Sequence, residues 1–323
     1  MQKNVILISA VSGDIGSAAV RSLDKAGYKI IGCDMKPHSP VSNRVDKYHI
    51  APPAHDTQIY MKFLNEVILK ENINFFLPIS EPEMEVLNLR RDEIETSGAK
   101  LLLNNKTILD NFLDKLKTVK YLRDMGIEVP GTMPLSVYDG SFGYPLIVKA
   151  RKGCGSKRFW KIETPIDLDY IKQKDDGFLI AQEDIGGDDE DYTTGVFSDG
   201  SAVSSITFRR KLGYGSLTIE AMLADEPFLD NLSRQIGEKT QLKGSINIQS
   251  RKVGNIFIPY EINPRLSSTL LFRKKFGFDD AIWWLNILQG KGYSYSKKYK
   301  SGMAVRCLSE CYFNMEKIQK NDD

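Results

Sequence analysis

The residues best suited to chemistry lie in the run Tyr260-Glu261-Ile262-Asn263-Pro264-Arg265. On an extended strand, alternation sets Glu261, Asn263 and Arg265 on one face and Ile262 on the other. A carboxylate, an amide oxygen and a guanidinium then converge. Upstream, Ser245-Ile246-Asn247-Ile248-Gln249 alternates in the same way, with Asn247 and Gln249 opposite two isoleucines. If two such strands are neighbours, their oxygens suit Mg²⁺, a hard cation that takes carboxylates together with phosphate oxygens and water. Arg265 would then neutralise a phosphate. A polar sheet face carrying a plain Glu–Arg ion pair accounts for the same residues.

Three other segments invite a chemical reading. The run from Tyr144 to Lys157 places Lys149 on an apolar strand, followed by a loop with Gly153, Gly155, Ser156 and several cations. Loop N–H groups and cations suit a polyphosphate. The spacing of a P-loop is not met, and a solvated basic hairpin is the alternative. Gly13-Asp14-Ile15-Gly16 follows the first apolar run, and Asp34 closes the second. Glycines there would let a phosphate approach a helix N-terminus, with Asp34 on a ribose. Val11 occupies the place of the first glycine in G-x-G-x-x-G, however, and tight packing explains the other two. Ser80-Glu81-Pro82-Glu83 follows a third apolar strand. Glu81 there either binds a substrate amine or caps the next helix.

Composition bounds these readings. The chain has 323 residues, which suggests about two domains. Lys+Arg is 44 and Asp+Glu 42, a net charge of +2. That removes any broad electrostatic case for nucleic acid or an anionic membrane as partner. Cys33, Cys154, Cys307 and Cys311 are too scattered for a disulfide framework. His38, His49 and His55 sit near the N-terminus and fit a surface loop better than a metal site. The apolar run at Val5–Ile8 is too short for the core of a signal peptide, and no apolar stretch is long enough to span a bilayer. The expected location is the cytoplasm.

The elements that must position these residues fall into two halves. Strands are expected at Val5–Ile8, 28–34, 73–78 and 100–103, alternating with helices at 18–26, 57–70 and 83–96. That is the pattern of a doubly wound parallel sheet. One long charged helix is expected over 107–125, ended by Gly126. Beyond it the chain is strand-rich, with strands expected near 145–150, 158–162, 178–183, 191–198, 202–209, 217–223, 245–251 and 256–262. Helices are expected near 165–174, 226–240 and 278–289. This half reads as α+β with antiparallel pairs.

Taken in order, these segments resemble the ATP-grasp superfamily, and within it the carboxylate–amine ligases that are similar to the carbamoyl-phosphate-synthase large subunit. The resemblance runs over roughly residues 1–290. It rests on Asp114-Lys115 with Gly126-Ile127-Glu128-Val129-Pro130, on Pro145–Ser156, on Gln182–Tyr192, on Gly244–Gln249 and on Glu261–Arg265. It implies an α/β pre-ATP-grasp domain over 1–105 and a two-lobed α+β ATP-grasp domain over 106–310, with lobes of about 106–182 and 183–310. A polar tail, 311–323, follows.

The resemblance also implies roles. Lys115 and Lys149 match lysines on ATP phosphates, and Gly153, Gly155 and Ser156 match a mobile lid. Gln182, Glu183 and Ile185 match the adenine hinge. Asp191 matches the ribose acid, although the family usually has Glu there and Glu190 is the alternative. Gln249, Glu261 and Asn263 match the magnesium ligands, and Arg265 the arginine that steadies the transferred phosphoryl group. One cation of Arg209-Arg210-Lys211 should face the phosphate or acyl phosphate, and Lys211 is the expected one. ATP and Mg²⁺ (or Mn²⁺) are the implied cofactors. The implied partners are a small carboxylate and an amine or ammonia, joined through an acyl phosphate, and a homodimer is compatible. The rival readings are an NAD(P)-dependent oxidoreductase using Gly13, Gly16 and Asp34, and a non-catalytic nucleotide-binding module.

Overall fold

The computed structural model describes residues 3–153, 158–187, 190–307 and 309–313. The first hundred residues build a parallel sheet from β1 (Val5–Ile8), β2 (Lys29–Asp34), β3 (Lys47–Ile50), β4 (Phe75–Leu77) and β5 (Lys100–Leu101). The strand order is β3-β2-β1-β4-β5. All four residues of β1 are buried, as helices on both faces of a parallel sheet require. Helices α1 (Asp14–Leu23) and α2 (Thr57–Glu71) supply that cover. The edge strand β3 was not foreseen, because its polar residues carry no apolar run. The helix expected over 83–96 is two, α3 (Glu81–Leu89) and α4 (Arg91–Thr96), broken at Arg90.

The long helix expected over 107–125 is also divided, into α5 (Lys106–Phe112) and α6 (Lys115–Asp124). Asp114 causes the break. Its carboxylate accepts the N–H groups of Leu116 and Lys117 at 3.1 and 3.2 Å, so it starts a new helix instead of continuing the old one. Lys115 thereby becomes the first residue of α6.

Two antiparallel sheets follow. One holds β6 (Thr132–Pro134), β7 (Leu146–Ala150), β8 (Phe159–Ile162) and β9 (Leu179–Glu183) in the order β6-β9-β7-β8, backed by α7 (Pro165–Lys172). The other holds β10 (Asp191–Asp199), β11 (Val203–Leu212), β12 (Thr218–Ala224), β13 (Lys243–Val253), β14 (Ile256–Asn263) and β15 (Met303–Val305). Its order is β14-β13-β10-β11-β12-β15. Helix α8 (Pro227–Lys239) covers part of one face. Helices α9 (Leu270–Lys275) and α10 (Asp280–Leu288) lie between this sheet and the parallel one. There Ile6, Ile8 and Val20 share a core with Phe197, Trp284 and Leu285. The parallel sheet is thus fused to the six-stranded sheet by packing and not hung from a linker. Among the described residues no helix is long and apolar enough to cross a membrane.

Candidate active site

A cavity of about 970 Å³ opens between the four-stranded and six-stranded sheets. Lys149, Gln182 and Glu183 reach it from the first sheet, and Asp191, Arg210, Gln249, Tyr260, Glu261 and Asn263 from the second. Lys115, Gly153, Ile185, Lys211 and Arg265 also line it, with Asp14 and Ile15 at the start of α1.

The oxygen set foreseen on two neighbouring strands comes together. β13 and β14 pair antiparallel, with Gln249 opposite Glu261 and Asn247 opposite Asn263. Asn263 Nδ2 donates to Glu261 Oε1 at 3.3 Å. Burial pushes the Glu261 carboxyl toward its neutral form, but Lys115 and Lys149 outweigh it and hold the pKa below the usual carboxylate range. Lys149 is buried, and burial lowers its ammonium pKa to about 8 against the opposing pull of Glu261. Lys115 and Arg251 push it further in the same direction. Among the described residues no group of three or more His, Cys, Asp or Glu side chains could hold a metal. The set here is one carboxylate with two amides. That donor chemistry fits Mg²⁺ or Mn²⁺ where phosphate oxygens complete the shell, and does not fit a thiophilic metal.

The strand that carries Lys149 is tied to the start of α6. Asp114 accepts from Arg151 Nε at 2.8 Å, and the Lys115 N–H donates to Arg151 O at 3.0 Å. Lys115 Nζ donates to Gly153 O at 2.7 Å. The backbone of Gly153 has φ +93°, open to glycine and strained for other residues. Gly155 and Ser156 lie outside the described residues.

On the neighbouring strand β9, Gln182 Nε2 donates to Thr132 Oγ1 at 2.9 Å, and Glu183 Oε2 accepts from the Gly131 N–H at 3.0 Å. Both side chains are therefore bound to the segment entering β6.

Several sequence expectations are corrected here. Of Arg209, Arg210 and Lys211, the inward cation is Arg210 and not Lys211. Alternation on β11 decides it: Arg210 is buried and flanked by two exposed side chains. Lys211 Nζ sits 3.6 Å from Glu220 at the cavity rim with its side chain 63% exposed. Asp191, expected on a ribose, has each oxygen engaged by a side chain: Oδ1 accepts from Arg210 Nε at 2.9 Å and Oδ2 from the Tyr260 hydroxyl at 3.0 Å. Glu190 lies outside the cavity wall and pairs with Arg209 at 3.5 Å. Glu81 neither caps its helix nor lines the cavity. Ser80 and Glu83 form the capping box of α3, and Glu81 Oε1 instead accepts from Arg265 Nη2 at 3.3 Å, both side chains buried.

The glycine turn of the parallel sheet is spent on structure. A Cβ on Gly16 would lie 2.3 Å from Ala10 O. Asp34 accepts the Ser12 N–H and the Lys36 N–H, each at 2.9 Å. The histidines do not converge either: His38 meets Phe313, His49 meets Glu71, and His55 is near Asp56.

Residues that the sequence reading did not assign also reach the cavity, chiefly Tyr260 and Thr193. Thr193 Oγ1 donates to Asn247 Oδ1 at 3.1 Å, which fixes that amide beside Asn263. Alternation from Asp191 would have found Thr193. It would have missed Tyr260.

With this geometry established, comparison with known proteins places the chain. Residues 6–102 match the family model of the PylC-like N-terminal domain, and residues 112–217 match that of the ATP-grasp domain. The second match assigns an ATP-grasp domain to residues 112–217. No curated protein matches it in sequence. Among solved structures, N5-carboxyaminoimidazole synthetase from Staphylococcus aureus, complexed with ADP, superposes on this chain with a TM-score of 0.75 at 17% identity, over 94% of this chain and 82% of that one. The biotin carboxylase domain of 2-oxoglutarate carboxylase from Hydrogenobacter thermophilus, a dimer with MgADP, ADP and bicarbonate, gives 0.73 at 14%, over 92% and 72%. Biotin carboxylase from Campylobacter jejuni gives 0.71 at 16%, over 91% and 72%. At these identities the likeness establishes the fold: a parallel-sheet domain followed by the antiparallel sheets of ATP-grasp.

Proposed function

We propose that this chain is an ATP-dependent carboxylate–amine (or carboxylate–ammonia) ligase, acting through an acyl phosphate and releasing ADP and phosphate. The observation that carries this is the convergence of Gln249, Glu261 and Asn263 with Lys115, Lys149 and Arg265 on one cavity. The similar solved structures named above include complexes with ADP, MgADP and bicarbonate, which supports ATP and Mg²⁺ as the ligands.

In the first step a substrate carboxylate oxygen attacks the γ-phosphorus of ATP, and the bond to the β-phosphate oxygen breaks. Two anions must meet, and negative charge builds on the leaving oxygens. Lys149, buried and positive, faces that charge with little solvent to screen it. Lys115 adds a second cation at the start of α6. Glu261 stays ionised between them. With Gln249 and Asn263 it would hold a divalent cation whose charge would offset that of the phosphates. Arg265, held by Glu81, lines the same cavity as Asp14 and Ile15 of α1. The acyl phosphate forms there and the amine attacks its carbonyl carbon, expelling phosphate. Water must be excluded meanwhile.

The substrates proposed are a small-molecule carboxylate and an amine, in the cytoplasm. Hydroxylamine supplied in place of the amine tests the reading. A panel of carboxylates should include at least one that gives ADP and a hydroxamate with a 1:1 ratio. ADP release with no hydroxamate from any acid, together with a distinct transferred-phosphoryl product, would replace the ligase by a kinase.

A further inference from the structure

The β13–β14 register shifts between Gln249 and Ser250: Gln249 faces Glu261, while Ser250 faces Pro259. Tyr260 is therefore an extra residue on β14 with no opposite number on β13. Strict alternation would turn its ring to the side of Ile262. The bulge instead brings it to the cavity wall beside Glu261.

There it closes a ring of hydrogen bonds. The Tyr260 hydroxyl donates to Asp191 Oδ2 and accepts from Arg210 Nη2, each at 3.0 Å. Asp191 Oδ1 accepts from Arg210 Nε at 2.9 Å. Arg210 Nη2 also reaches Gln249 Oε1 at 3.0 Å. The guanidinium is pinned through Nε and Nη2, and none of these bonds uses Nη1. The Arg210 and Asp191 side chains are 5% and 2% exposed. A buried ion pair adds little net stability, since desolvation consumes most of its Coulomb energy. A cation fixed in advance beside a site of developing negative charge is a different matter, because it needs no reorganisation when the charge appears. The Tyr260 ring also stands 5.5 Å from Lys149 Nζ, so one bulged residue touches two of the cavity's cations.

Resting on the ATP site proposed above, we infer that Tyr260 and Asp191 are positioning residues that clamp Arg210 as a fixed cation for the nucleotide's polyphosphate, so that Asp191 serves Arg210 and not the ribose. The clamp selects for phosphate and is blind to the nucleoside.

Calorimetric titration of the full chain with ATP in Mg²⁺, with adenosine measured by competition, tests this. Tyr260→Phe should weaken ATP binding roughly tenfold and leave adenosine within about twofold, as expected for loss of a charge-assisted partner. Introduced on top of Arg210→Lys, the same change should cost at most about threefold, because coupled residues are not additive. Asp191→Asn loosens the same guanidinium from its other side and should give the same ATP-selective loss. It decides the matter if Tyr260→Phe fails to fold by circular dichroism. Unchanged ATP affinity in Tyr260→Phe, equal losses for ATP and adenosine, or an Asp191→Asn protein that loses adenosine binding would each overturn the inference. A wild-type chain that binds no ATP would remove the nucleotide site itself, a separate failure visible before any variant is made.

Discussion

Two regions of this molecule carry polar residues that invite a ligand, and they use them differently. In the turn after β1, Asp34 has both oxygens on backbone N–H groups, and Gly16 is in van der Waals contact with Ala10. In the β13–β14 pair, Glu261, Asn263 and Gln249 bond to one another or to side chains and face open volume. The first region resembles a dinucleotide fingerprint only until its partners are counted. A polar group satisfied by the backbone around it is part of the fold. One satisfied only by other side chains on a cavity wall is available to rearrange around a ligand.

Glu261→Ala against Asp34→Ala is the sharpest way to break that comparison. Loss of the single carboxylate of the oxygen set should lower turnover by at least about 10²–10³, the scale set by removing a group that stabilises transition-state charge. It should also abolish the Mg²⁺ dependence of ATP binding, read by titration with and without EDTA. Asp34→Ala should leave ATP affinity within about twofold while lowering stability by about 1–3 kcal/mol, since two backbone donors lose their acceptor. Wild-type turnover from Glu261→Ala, or loss of ATP binding from Asp34→Ala, would reverse the assignment of the two regions.

The pH dependence gives the next largest effect. Lys149 in the free protein has its pKa lowered to about 8, chiefly by burial. A bound polyphosphate would favour the charged form and raise that value. Between the free and bound values, binding takes up a proton, so affinity falls as pH rises. ATP affinity should be flat below about pH 8 and fall by up to about tenfold per pH unit above it. Lys149→Met should bind ATP more weakly and lose this slope. A wild-type profile that stays flat to pH 9.5 would mean that Lys149 does not meet phosphate.

The contrast between the regions also separates what the sequence could reveal from what it could not. β1, β7 and β9 are apolar runs, and residues 245–249 and 261–265 alternate, so period alone places them. Three features escaped that logic. Asp114 splits a continuous helical pattern because its side chain outcompetes the backbone for Leu116 and Lys117. Tyr260 reaches the cavity through a bulge, which breaks the period that alternation depends on. Glu81 meets Arg265 across 184 positions of chain, a pairing set by how the parallel sheet packs on the six-stranded one. In each case a tertiary contact or a single side chain overrides the local rule.

Asp114 carries the third test, because it joins scaffold and site. Asp114→Ala removes the cap of α6 and the partner of Arg151 together. We expect a loss of about 1–2 kcal/mol of stability from the cap. We also expect ATP binding to weaken several-fold, because Lys115 is the first residue of the helix that the cap starts. Asp114→Asn keeps a capping oxygen and weakens the pairing with Arg151, so it should restore most of the stability. If it restores none, the cap is not what holds α6.

The smallest effect on ATP binding belongs to Gly16. A methyl group there meets Ala10 O at 2.3 Å, with the Val11 Cα at 2.8 Å, and backbone atoms cannot step aside as a flexible side chain would. Gly16→Ala should therefore cost about 1–3 kcal/mol of stability by overpacking, read as a lowered thermal midpoint. Asp14 and Ile15 line the cavity from the same first turn of α1. A shift of that turn by a few tenths of an ångström would displace them, while Lys149, Glu261 and Asn263 stand on other sheets. KM for the carboxylate or amine substrate should then rise, with KM for ATP unchanged. A rise in KM for ATP alone would put the nucleotide at the glycine turn after all.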